Sequence, residues 1–581
     1  MGERLAGFDA VPASLPGPRD DGDEASVYAA RARRLGLSFV PVVDLAEGSL
    51  VDAAAIGRGA FALSAGGDRI AYLAPDDDAI PDVLHWLARY PTARARLRVS
   101  TPSAIRTALV RAGHRTLVSE ATGRLASRFP HLSARRVVTA AQIAGAAAIA
   151  VAVVAGALLR PRWALIAVNL VGAVFFFGVS ALRFVAAGVI GNRSPLRRQP
   201  PRAVAGEFPI YSVLVPLHRE ADMVPGLVAA LDRLDWPRDR LDIKLVVESS
   251  DAETIAAVHR AAHGPPYEIV VVPEGGPQTK PKALSFAQPL VRGEFVTVYD
   301  AEDRPHPGQL REAYAEFSSS GPELACLQSP LVVDNTSAGW LALLFAIEYA
   351  ALFDGMLPVL AGLAMPLPLG GTSNHFRRAA LDEVGGWDPF NVTEDADLGL
   401  RLARFGYRSA TLDLPTLEEA PERLRPWFRQ RTRWFKGWMQ TWLVHTRHPF
   451  RLARELGNRG SLGFTLVGTG MIVSSMVYPV YIATLLVMAT NPLRLWGDGG
   501  VFAATVVGVN LFNLVAGYMA MALLSGRALK LRGRSSEARG LVLLPLYWFL
   551  MSLASYRAIF ELLRRPHHWD KTPHRRHSEA G

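Results

Sequence analysis

The sequence contains one cysteine and no recognisable signal peptide. With Cys326 alone among 581 residues, the chain cannot form an intramolecular disulfide, and its apolar surroundings, LACL, predict a core position. Residues 1–25 mix acidic residues, proline and glycine without an apolar segment, which predicts a disordered tail that stays in the cytoplasm. Nothing in the composition requires an oxidising compartment.

Charged residues are missing from long segments. Residues 137–159 are uncharged over a longer distance than a soluble core helix tolerates, and the apolar run 163–190 follows after RPR, so we predict a transmembrane hairpin over 137–190. Further apolar runs predict C-terminal transmembrane helices within 461–562 and a basic tail over 563–581: 463–489, 500–525 and 540–560. Five crossings would separate this tail from the N-terminal domain, although it is as basic as a cytoplasmic loop. Either the last run is shorter than a full span, or another run hides an extra crossing or a re-entrant piece.

The net charge of +10 is concentrated beside the apolar runs. Arg135 and Arg136 precede the first run, and Arg197 and Arg198 follow the second. This distribution is typical of a multi-pass protein of a bacterial inner (plasma) membrane, with membrane lipids as neighbours and both flanking domains in the cytoplasm. Because neither a groove-reading motif nor an aromatic platform for single strands accompanies the charge, we expect no nucleic-acid partner.

The region over 26–130 is predicted to be a small α+β cytoplasmic domain. LSFVPVVDL and RIAYLAP are typical of short strands, and DVLHWLARYP is typical of a helix. The stretch ARRLGLSFVPVVDL resembles the N-terminal domain of type II secretion ATPases, some of which bind cyclic di-GMP. The resemblance implies a regulatory domain with such a ligand, and the alternative is a module that binds a partner protein.

The region over 205–445 alternates apolar strands with helices. YSVLVPL, IKLVVES, YEIVVV and EFVTVYD are typical of strands, and MVPGLVAALDRL and AETIAAVHRAA of helices. The alternation predicts a parallel α/β sheet that binds ligands at the carboxyl ends of its strands. Glu220, Glu248 and Asp251 follow two of these strands and are candidates for ligand binding, although each would also suit a helix cap.

Two acidic motifs follow in the same region. In VTVYDAEDRPHP, Asp300 and Glu302 alternate along a strand end with Asp303 beside them. Such oxygen ligands suit Mg²⁺ or Mn²⁺ carrying a diphosphate, and the alternative is an acidic turn before a proline. In NVTEDADLGLRLARFGY, Glu394 and Asp395 lie where carboxylates suit a helix dipole, and a carboxylate held there can also accept a proton from a substrate hydroxyl.

The segment PWFRQRTRWFKGWMQTW contains four tryptophans. On a helix, Gln430, Arg433 and Trp434 share one face, where an amide, a cation and an indole can hold a diphosphate leaving group and stack a sugar ring. The remaining tryptophans favour a simpler alternative for most of the segment, which is an amphipathic helix anchored at the level of the lipid headgroups.

The order DAED, then TED, then QRTRW before membrane helices resembles the membrane-bound family 2 glycosyltransferases, which include cellulose, hyaluronan and poly-N-acetylglucosamine synthases. The resemblance spans about 205–450. It implies a GT-A (Rossmann-like) domain inserted between transmembrane helices, a UDP-sugar donor and a bound Mg²⁺ or Mn²⁺.

The resemblance also implies roles for individual residues. Asp300 and Glu302 correspond to the ligands of the metal and diphosphate, with Asp303 as an alternative to Glu302, because the family has a second Asp in this motif. Asp395 corresponds to the general base, beside Glu394. The remaining positions are implied to bind donor or acceptor: Glu220, Glu248 and Asp251 on the nucleotide side, Lys280 as the substrate-contacting lysine of TKPKALS, and Gln430, Arg433 and Trp434 at the acceptor end and pyrophosphate.

The sequence departs from the family at other points. Ser285 stands where an asparagine is usual, and after Trp434 there is no F-x-V-T-x-K gating segment and no R-x-x-x-R followed by the D/N-x-S-x-x-G of a cyclic di-GMP domain. We predict an inverting glycosyltransferase that extends a polysaccharide or glycosylates a lipid-linked acceptor. The alternatives are a single-addition glycolipid transferase and a non-catalytic membrane receptor or scaffold with a vestigial transferase domain.

Overall fold

The computed structural model describes residues 24–43, 45, 61–63, 70–75, 77, 79–191, 207–262, 264–490 and 500–569. These residues form an N-terminal α+β unit, a helical hairpin, a large α/β region and a C-terminal set of helices. The disordered tail predicted over 1–25 and most of the basic tail predicted over 563–581 lie outside the described residues.

The N-terminal unit contains a small sheet with strand order β1-β4-β3-β2. Its strands are β1 (Ser38–Phe39), β2 (Phe61–Leu63), β3 (Ala71–Leu73) and β4 (Leu97–Val99), and its helices are α1 (Glu24–Leu35), α2 (Ile80–Arg89), α3 (Pro102–Ala112) and α4 (His114–Arg128). The strand expected across LSFVPVVDL is reduced to the two residues of β1. The helix expected in DVLHWLARYP is α2.

A helical hairpin follows, formed by α5 (Ala140–Leu159) and α6 (Pro161–Gly191). Thr139 begins α5 with a capping box, in which its hydroxyl and backbone pair with Gln142. None of the side chains of α5 is buried, and Leu158 is 78% exposed. An apolar helix without a buried face fits a lipid environment, as the hairpin prediction requires.

The α/β region is built on a seven-stranded sheet with the order β13-β10-β12-β8-β5-β6-β7. Its strands are β5 (Tyr211–Leu217), β6 (Leu241–Glu248), β7 (Tyr267–Val272), β8 (Phe295–Val298), β10 (Leu324–Gln328), β12 (Asn374–Arg377) and β13 (Arg408–Thr411). Neighbours among β8, β5, β6 and β7 are parallel, as predicted, whereas β12 is antiparallel to both of its neighbours. The prediction of a wholly parallel sheet is therefore wrong. The reason is that β12 begins beside Val298 at the end of β8, so it must run back across the sheet.

Helices cover this sheet, and a second, smaller sheet lies beside it. The helices are α7 (Val224–Leu231), α8 (Ala252–Ala261), α9 (Lys280–Ala287), α10 (Gln309–Ser319), α11 (Trp340–Tyr349), α12 (Leu357–Gly362), α13 (Arg378–Glu383) and α14 (Glu394–Arg404). The smaller sheet has the order β11-β14-β9, formed by β9 (Arg304–Pro305), β11 (Leu331–Val333) and β14 (Thr416–Glu418). A π-helical stretch, Ala350–Met356, joins α11 to α12.

The C-terminal helices are α15 (Leu424–His445), α16 (Pro449–Phe464), α17 (Gly470–Thr490), α18 (Gly500–Leu531) and α19 (Leu544–Arg564). Within the described residues, six helical segments are long and apolar enough to cross a membrane: Ala140–Leu159, Asn169–Gly191, Trp340–Gly362, Pro449–Ala483, Val507–Leu531 and Ser535–Arg564. The sequence analysis did not predict Trp340–Gly362. Its apolar window is 72% buried, so this segment packs mainly against protein.

Helices α15 and α19 run side by side in the same direction. Near the start of both helices, Trp427 donates a hydrogen bond to the hydroxyl of Tyr547 over 3.4 Å. Near their ends, Lys436 donates to the carbonyl of His568 over 2.7 Å and Gln440 to that of Pro566 over 2.9 Å. Since both ends of α15 adjoin the α/β region, α19 begins and ends on that side. This geometry favours the alternative in which the last apolar run is not a full crossing.

Candidate active site

The carboxyl ends of β8, β5 and β6 meet at a cavity of about 500 Å³ between the sheet and the membrane-type helices. Ten of the predicted site residues line it: Glu220, Glu248, Lys280, Asp300, Glu302, Glu394, Asp395, Gln430, Arg433 and Trp434. The fold therefore brings together motifs that lie up to about two hundred residues apart in the chain. Asp251 and Asp303 do not line the cavity.

Lys280 links the first acidic motif to the glycine-rich turn. Its ammonium group binds the carboxylate of Asp300 and donates to the carbonyl of Gly371 over 2.7 Å. Gly371 in turn lies against the base candidate, because a Cβ added at this glycine would be 3.4 Å from Oδ2 of Asp395 and 3.7 Å from Nζ of Lys280. A larger residue would narrow the space between the two polar groups. The charges around the lysine, of which that of Asp300 is the largest, raise the pKa of Lys280 although burial lowers it.

Asp303 holds the turn that presents Asp300. Its Oδ2 accepts hydrogen bonds from the backbone of Asp300, over 2.7 Å, and from the hydroxyl of Thr372. Its Oδ1 is buried without a hydrogen-bond partner in the described residues. Burial, followed by the charges of Asp300 and Glu302, raises the pKa of Asp303 well above its usual range. The geometry therefore favours a structural position for Asp303 and leaves Asp300 and Glu302 facing the cavity.

The donor set fits a divalent ion that takes part of its coordination from a substrate. Within the described residues, no group of three or more His, Cys, Asp or Glu side chains is arranged to hold a metal by itself. Three carboxyl groups nevertheless crowd at one turn, and the repulsion that raises the pKa of Asp303 is the repulsion that a cation would relieve. Mg²⁺ and Mn²⁺ commonly bind through one or two carboxylates plus phosphate oxygens and water.

The second acidic motif begins α14. Thr393 occupies the N-cap position without a side-chain cap, and Asp395 instead accepts a hydrogen bond from the backbone of Ala396 over 2.7 Å. Burial and then the neighbouring charge of Asp395 raise the pKa of Glu394 to about 7. Burial also raises the pKa of Asp395, against the opposing charges of Lys280 and Arg433. A carboxyl pair with raised pKa values in a cleft is suited to proton transfer near neutral pH.

Helix α14 is fixed to α15 by a buried polar cluster. Asp397 is fully buried, pairs with Arg401 over 2.7 Å, and accepts from His445 over 2.9 Å. Gly437 allows the close approach of the two helices, because a Cβ there would lie 2.3 Å from Oγ1 of Thr393. The TED motif and the Q-x-x-R-W helix therefore move as one unit.

The alternative that most of α15 is an amphipathic helix anchored at the level of the lipid headgroups is wrong, because its tryptophans are not exposed. Trp427 is fully buried against Tyr547, with ring centroids 5.2 Å apart, and the indole of Trp442 donates to the hydroxyl of Thr469 over 2.9 Å. Trp434 stacks at 6.5 Å on Tyr349. These rings pack against α11, α19 and the segment before α17, so the tryptophans fill an internal interface.

The Q-x-x-R-W residues turn polar groups toward the cavity. Oε1 of Gln430 and Nε of Arg433 are buried without hydrogen-bond partners in the described part of the chain. Arg433 also donates to the carbonyl of Val392, just before the TED motif, over 3.2 Å. Unpartnered buried polar atoms at a cavity wall are the usual mark of a ligand site.

Glu248, which ends β6, and Asp251, which follows it, make different contacts. Asp251 caps α8 through the backbone of Thr254 over 3.3 Å and also accepts from the backbone of Arg219. Burial raises the pKa of Asp251, but these hydrogen bonds outweigh it and the pKa is lowered. Glu248 lines the cavity and pairs with the buried Lys282 over 3.1 Å. The helix-cap reading thus accounts for Asp251.

Further residues at the cavity were not predicted from the sequence. Glu348 on α11 binds Arg431 over 2.7 Å and accepts from Tyr547 over 2.7 Å, so α11, α15 and α19 meet at one ion pair. Trp569 also lines the cavity and lies 5.7 Å from the guanidinium of Arg433. Only tertiary packing joins these residues, since no local motif marks them.

Comparison with known proteins finds similarity to glycosyltransferases. The model of the family described as "Glycosyl transferase family group 2" matches residues 295–496. The probable glycosyltransferase YdaM of Bacillus subtilis is 28% identical over 254 residues, which are 43% of this chain and 60% of that protein. The beta-monoglucosyldiacylglycerol synthase of Synechocystis is 28% identical over 245 residues, 41% of this chain and 50% of that protein. The chain thus spans about half to three fifths of these relatives.

A solved structure with a related outline is the mannosyltransferase PcManGT from Pyrobaculum calidifontis, in complex with GDP-Man and Mn²⁺. It is 20% identical, the match covers 61% of this chain and 97% of that one, and the TM-score is 0.41. The family match takes in β8, β12, the TED helix α14 and the Q-x-x-R-W helix α15, and it includes the cavity-lining Asp300, Asp395 and Arg433. The chain carries a family 2 glycosyltransferase domain.

Proposed function

We propose that the protein is an inverting glycosyltransferase that moves a sugar from a UDP-sugar to a hydroxyl group of a membrane lipid. The observation that carries the choice of acceptor is the course of the cavity. From the carboxylates at the sheet edge it continues between α6, α11, α17, α18 and α19, where its walls include Phe176, Leu352, Phe353, Met521 and Leu524. An apolar space beside an acidic site suits an acyl chain better than a hydrated glycan.

In the proposed reaction, Asp395 accepts the proton of the acceptor hydroxyl as its oxygen attacks the anomeric carbon and UDP departs on the opposite side. Lys280 and Arg433 place positive charge near the diphosphate, and the unpartnered amide oxygen of Gln430 orients a hydroxyl. Asp300 and Glu302 would hold Mg²⁺ or Mn²⁺, which neutralises charge on the diphosphate. Gly371 keeps the space beside Asp395 and Lys280 open.

Polysaccharide extension, as in exopolysaccharide synthesis, is the second candidate. Trp434 and Trp438 both line the cavity beside the Q-x-x-R-W face, and such rings can stack the sugar of a growing chain. A non-catalytic scaffold has less support, because the carboxylates and cations required for transfer all face one cavity.

The remaining assignments belong to the same proposal. The basic flanks of the membrane segments support a bacterial inner membrane protein with its catalytic and N-terminal domains in the cytoplasm. The N-terminal unit would then regulate transfer through cyclic di-GMP or a partner protein. Its helix α4 packs on α9, the helix that begins with Lys280, so it is well positioned for such a role.

The deciding experiment uses full-length protein in neutral detergent with a panel of radiolabelled UDP-sugars. Acceptors are diacylglycerol, phospholipids and an oligosaccharide primer, and products are separated by thin-layer chromatography and gel filtration. Label that migrates with one lipid-bound sugar supports the glycolipid reaction. A ladder or high-mass product would replace it with polysaccharide extension, and no transfer from any donor would support the scaffold.

A further inference from the structure

The membrane-facing part of the cavity contains an arginine with no carboxylate partner of its own. Arg183 lies on α6 within the candidate span Asn169–Gly191 and lines the cavity. In the part of the chain that the structure describes, it forms no ion pair or hydrogen bond, and its guanidinium lies 5.7 Å from the ring of Trp548. A charged group in a membrane helix is costly to keep without a partner and therefore indicates function.

The nearest carboxylate is already occupied. Glu348 acts on Arg183 electrostatically, but its two oxygens are bound by Arg431 and Tyr547. One negative and two positive charges thus meet at this wall, which leaves a net positive charge. A ligand that carries an anionic group would neutralise this net positive charge.

Arg183 lies inside the candidate span, and the apolar part of the cavity extends farther along it. Gly191 is the last residue of α6 and of that span. Arg183 lies eight residues earlier, or about 12 Å into the helix. Phe176 lies about 10 Å deeper along the same cavity. The wall therefore offers a cation inside the span, about a third of the way from Gly191, and apolar side chains farther along.

We propose that Arg183 binds a lipid-borne phosphate, so that the acceptor of the transferase is an anionic lipid. The phosphate would pair with the guanidinium, the acyl or prenyl chain would lie along Phe176 and Leu524, and a hydroxyl of the same lipid would face Asp395. Only the last part of this inference, the lipid hydroxyl that faces Asp395, rests on the proposed function. Guanidinium groups bind phosphate in a bidentate manner, which explains an arginine at this position better than a general need for charge.

The test measures lipid retention directly. Full-length protein is equilibrated with equal amounts of diacylglycerol, phosphatidylglycerol and undecaprenyl phosphate, isolated by gel filtration, and analysed for bound lipid by mass spectrometry. We expect at least a tenfold preference for the phosphate lipids, about the size of one charged hydrogen bond. Arg183→Gln should remove this preference, and Arg183→Lys should retain part of it. Retention of phosphatidylglycerol would identify a phospholipid as the source of the phosphate, and retention of undecaprenyl phosphate would identify a polyprenyl phosphate.

Arg527→Gln is the matched control. Arg527 lies on α18 and its guanidinium donates to the carbonyl of Ala187 on α6 over 2.5 Å. Unlike Arg183, it does not line the cavity. This variant should keep the wild-type preference. If the wild type shows no preference, or if Arg183→Gln keeps it, the proposal is overturned. Should Arg183→Gln not fold, the wild-type preference and its partial retention by Arg183→Lys decide the matter.

A parallel transfer assay separates this inference from the proposed function. Sugar transfer to diacylglycerol by a protein without any phosphate preference would sustain the glycolipid reaction and refute the phosphate site. Retention of phosphate lipids that depends on Arg183, with a polysaccharide as the only product, would sustain the site and refute the glycolipid reaction.

Discussion

Lys280 binds the carboxylate of Asp300 and the carbonyl of Gly371, and so joins the strand end to the turn beside Asp395. The ammonium group thus lies between the donor end of the cavity and the base candidate. Its position links the chemistry of the two acidic motifs, which are about ninety residues apart in the sequence. The first three predictions concern this part of the site.

Replacement of Asp395 by asparagine should abolish the base without disturbing the fold. The asparagine keeps an oxygen that can accept from the backbone of Ala396, as Asp395 does over 2.7 Å. Sugar transfer should fall about 10²-fold or more, the usual scale for loss of a positioned acid or base. UDP binding, measured by calorimetry, should remain within a few-fold of wild type.

The control for this variant is Trp442→Phe, on the helix that carries Q-x-x-R-W. It loses the hydrogen bond to Thr469 and should cost about 1 kcal/mol of stability while turnover stays near the wild-type value. Near-normal turnover in Asp395→Asn together with inactivity in Trp442→Phe would refute the catalytic interpretation.

Removal of divalent metal should stop transfer. Since no group of three or more His, Cys, Asp or Glu side chains among the described residues is arranged to hold a metal beside Asp300 and Glu302, most coordination should come from diphosphate and water. EDTA should therefore abolish activity, and Mg²⁺ or Mn²⁺ should restore it. Glu302→Gln should raise the Mg²⁺ concentration needed for half-maximal rate. Full activity in chelator would exclude this role.

The pH dependence of transfer should report the carboxyl pair of the TED motif. Burial raises the pKa of Asp395 above its ordinary value, and this base must be ionised to accept a proton. The kcat/KM for acceptor should therefore rise with pH as Asp395 loses its proton and then level off. Because Lys280 lowers the pKa of both carboxyls, Lys280→Met should move the rise to higher pH in addition to slowing the reaction. A profile that stays flat down to the ordinary pKa range of an aspartate would contradict the assignment.

Gly437 should tolerate no side chain. A Cβ would lie 2.3 Å from Oγ1 of Thr393, so Gly437→Ala should push α15 away from the TED motif and lower both stability and activity, by about 1–3 kcal/mol for stability. Gly226→Ala is the matched control, because this helical glycine has open space around its Cβ position and alanine favours the helix. Thermal unfolding and turnover of the two variants should diverge. Equal thermal stability and equal turnover in the two variants would show that α15 can move away from Thr393 without cost.

Deletion of residues 1–130 should leave transfer measurable but make the protein less stable. The N-terminal unit meets the catalytic region through Arg106 and Glu268, 3.4 Å apart, and through Phe129 and Phe405, whose ring centroids are 5.2 Å apart. Loss of these contacts should lower the melting temperature. The full-length protein should also be titrated with cyclic di-GMP. If it shows no binding, the N-terminal unit is a module that binds a partner protein instead.

The sequence predicted two strands of the larger sheet well, since β5 and β7 coincide with YSVLVPL and YEIVVV. Their apolar runs and the polar residues after them are local signals. The antiparallel direction of β12 depends on where its turn lies against β8, which no local pattern reveals. The tryptophans of α15 were misread because burial by α11 and α19 and burial by lipid require the same side chains. Glu348 gave no signal, since its importance arises only from the helices that surround it. Arg183, a charge within the predicted apolar run 163–190, was a signal that the sequence analysis did not use.

The cavity draws its walls from residues as far apart as Phe176 and Trp569. A ribosome that has finished α15 has made every recognisable motif, yet the stretch from 445 to 569 takes roughly 6 to 25 s more to synthesise. During that time Lys436 and Gln440 lack the carbonyl groups of His568 and Pro566, and the apolar wall lacks α17, α18 and α19. The cavity is therefore incomplete until α19 has been made, and a chain that stalls before α19 would expose the apolar residues of this wall.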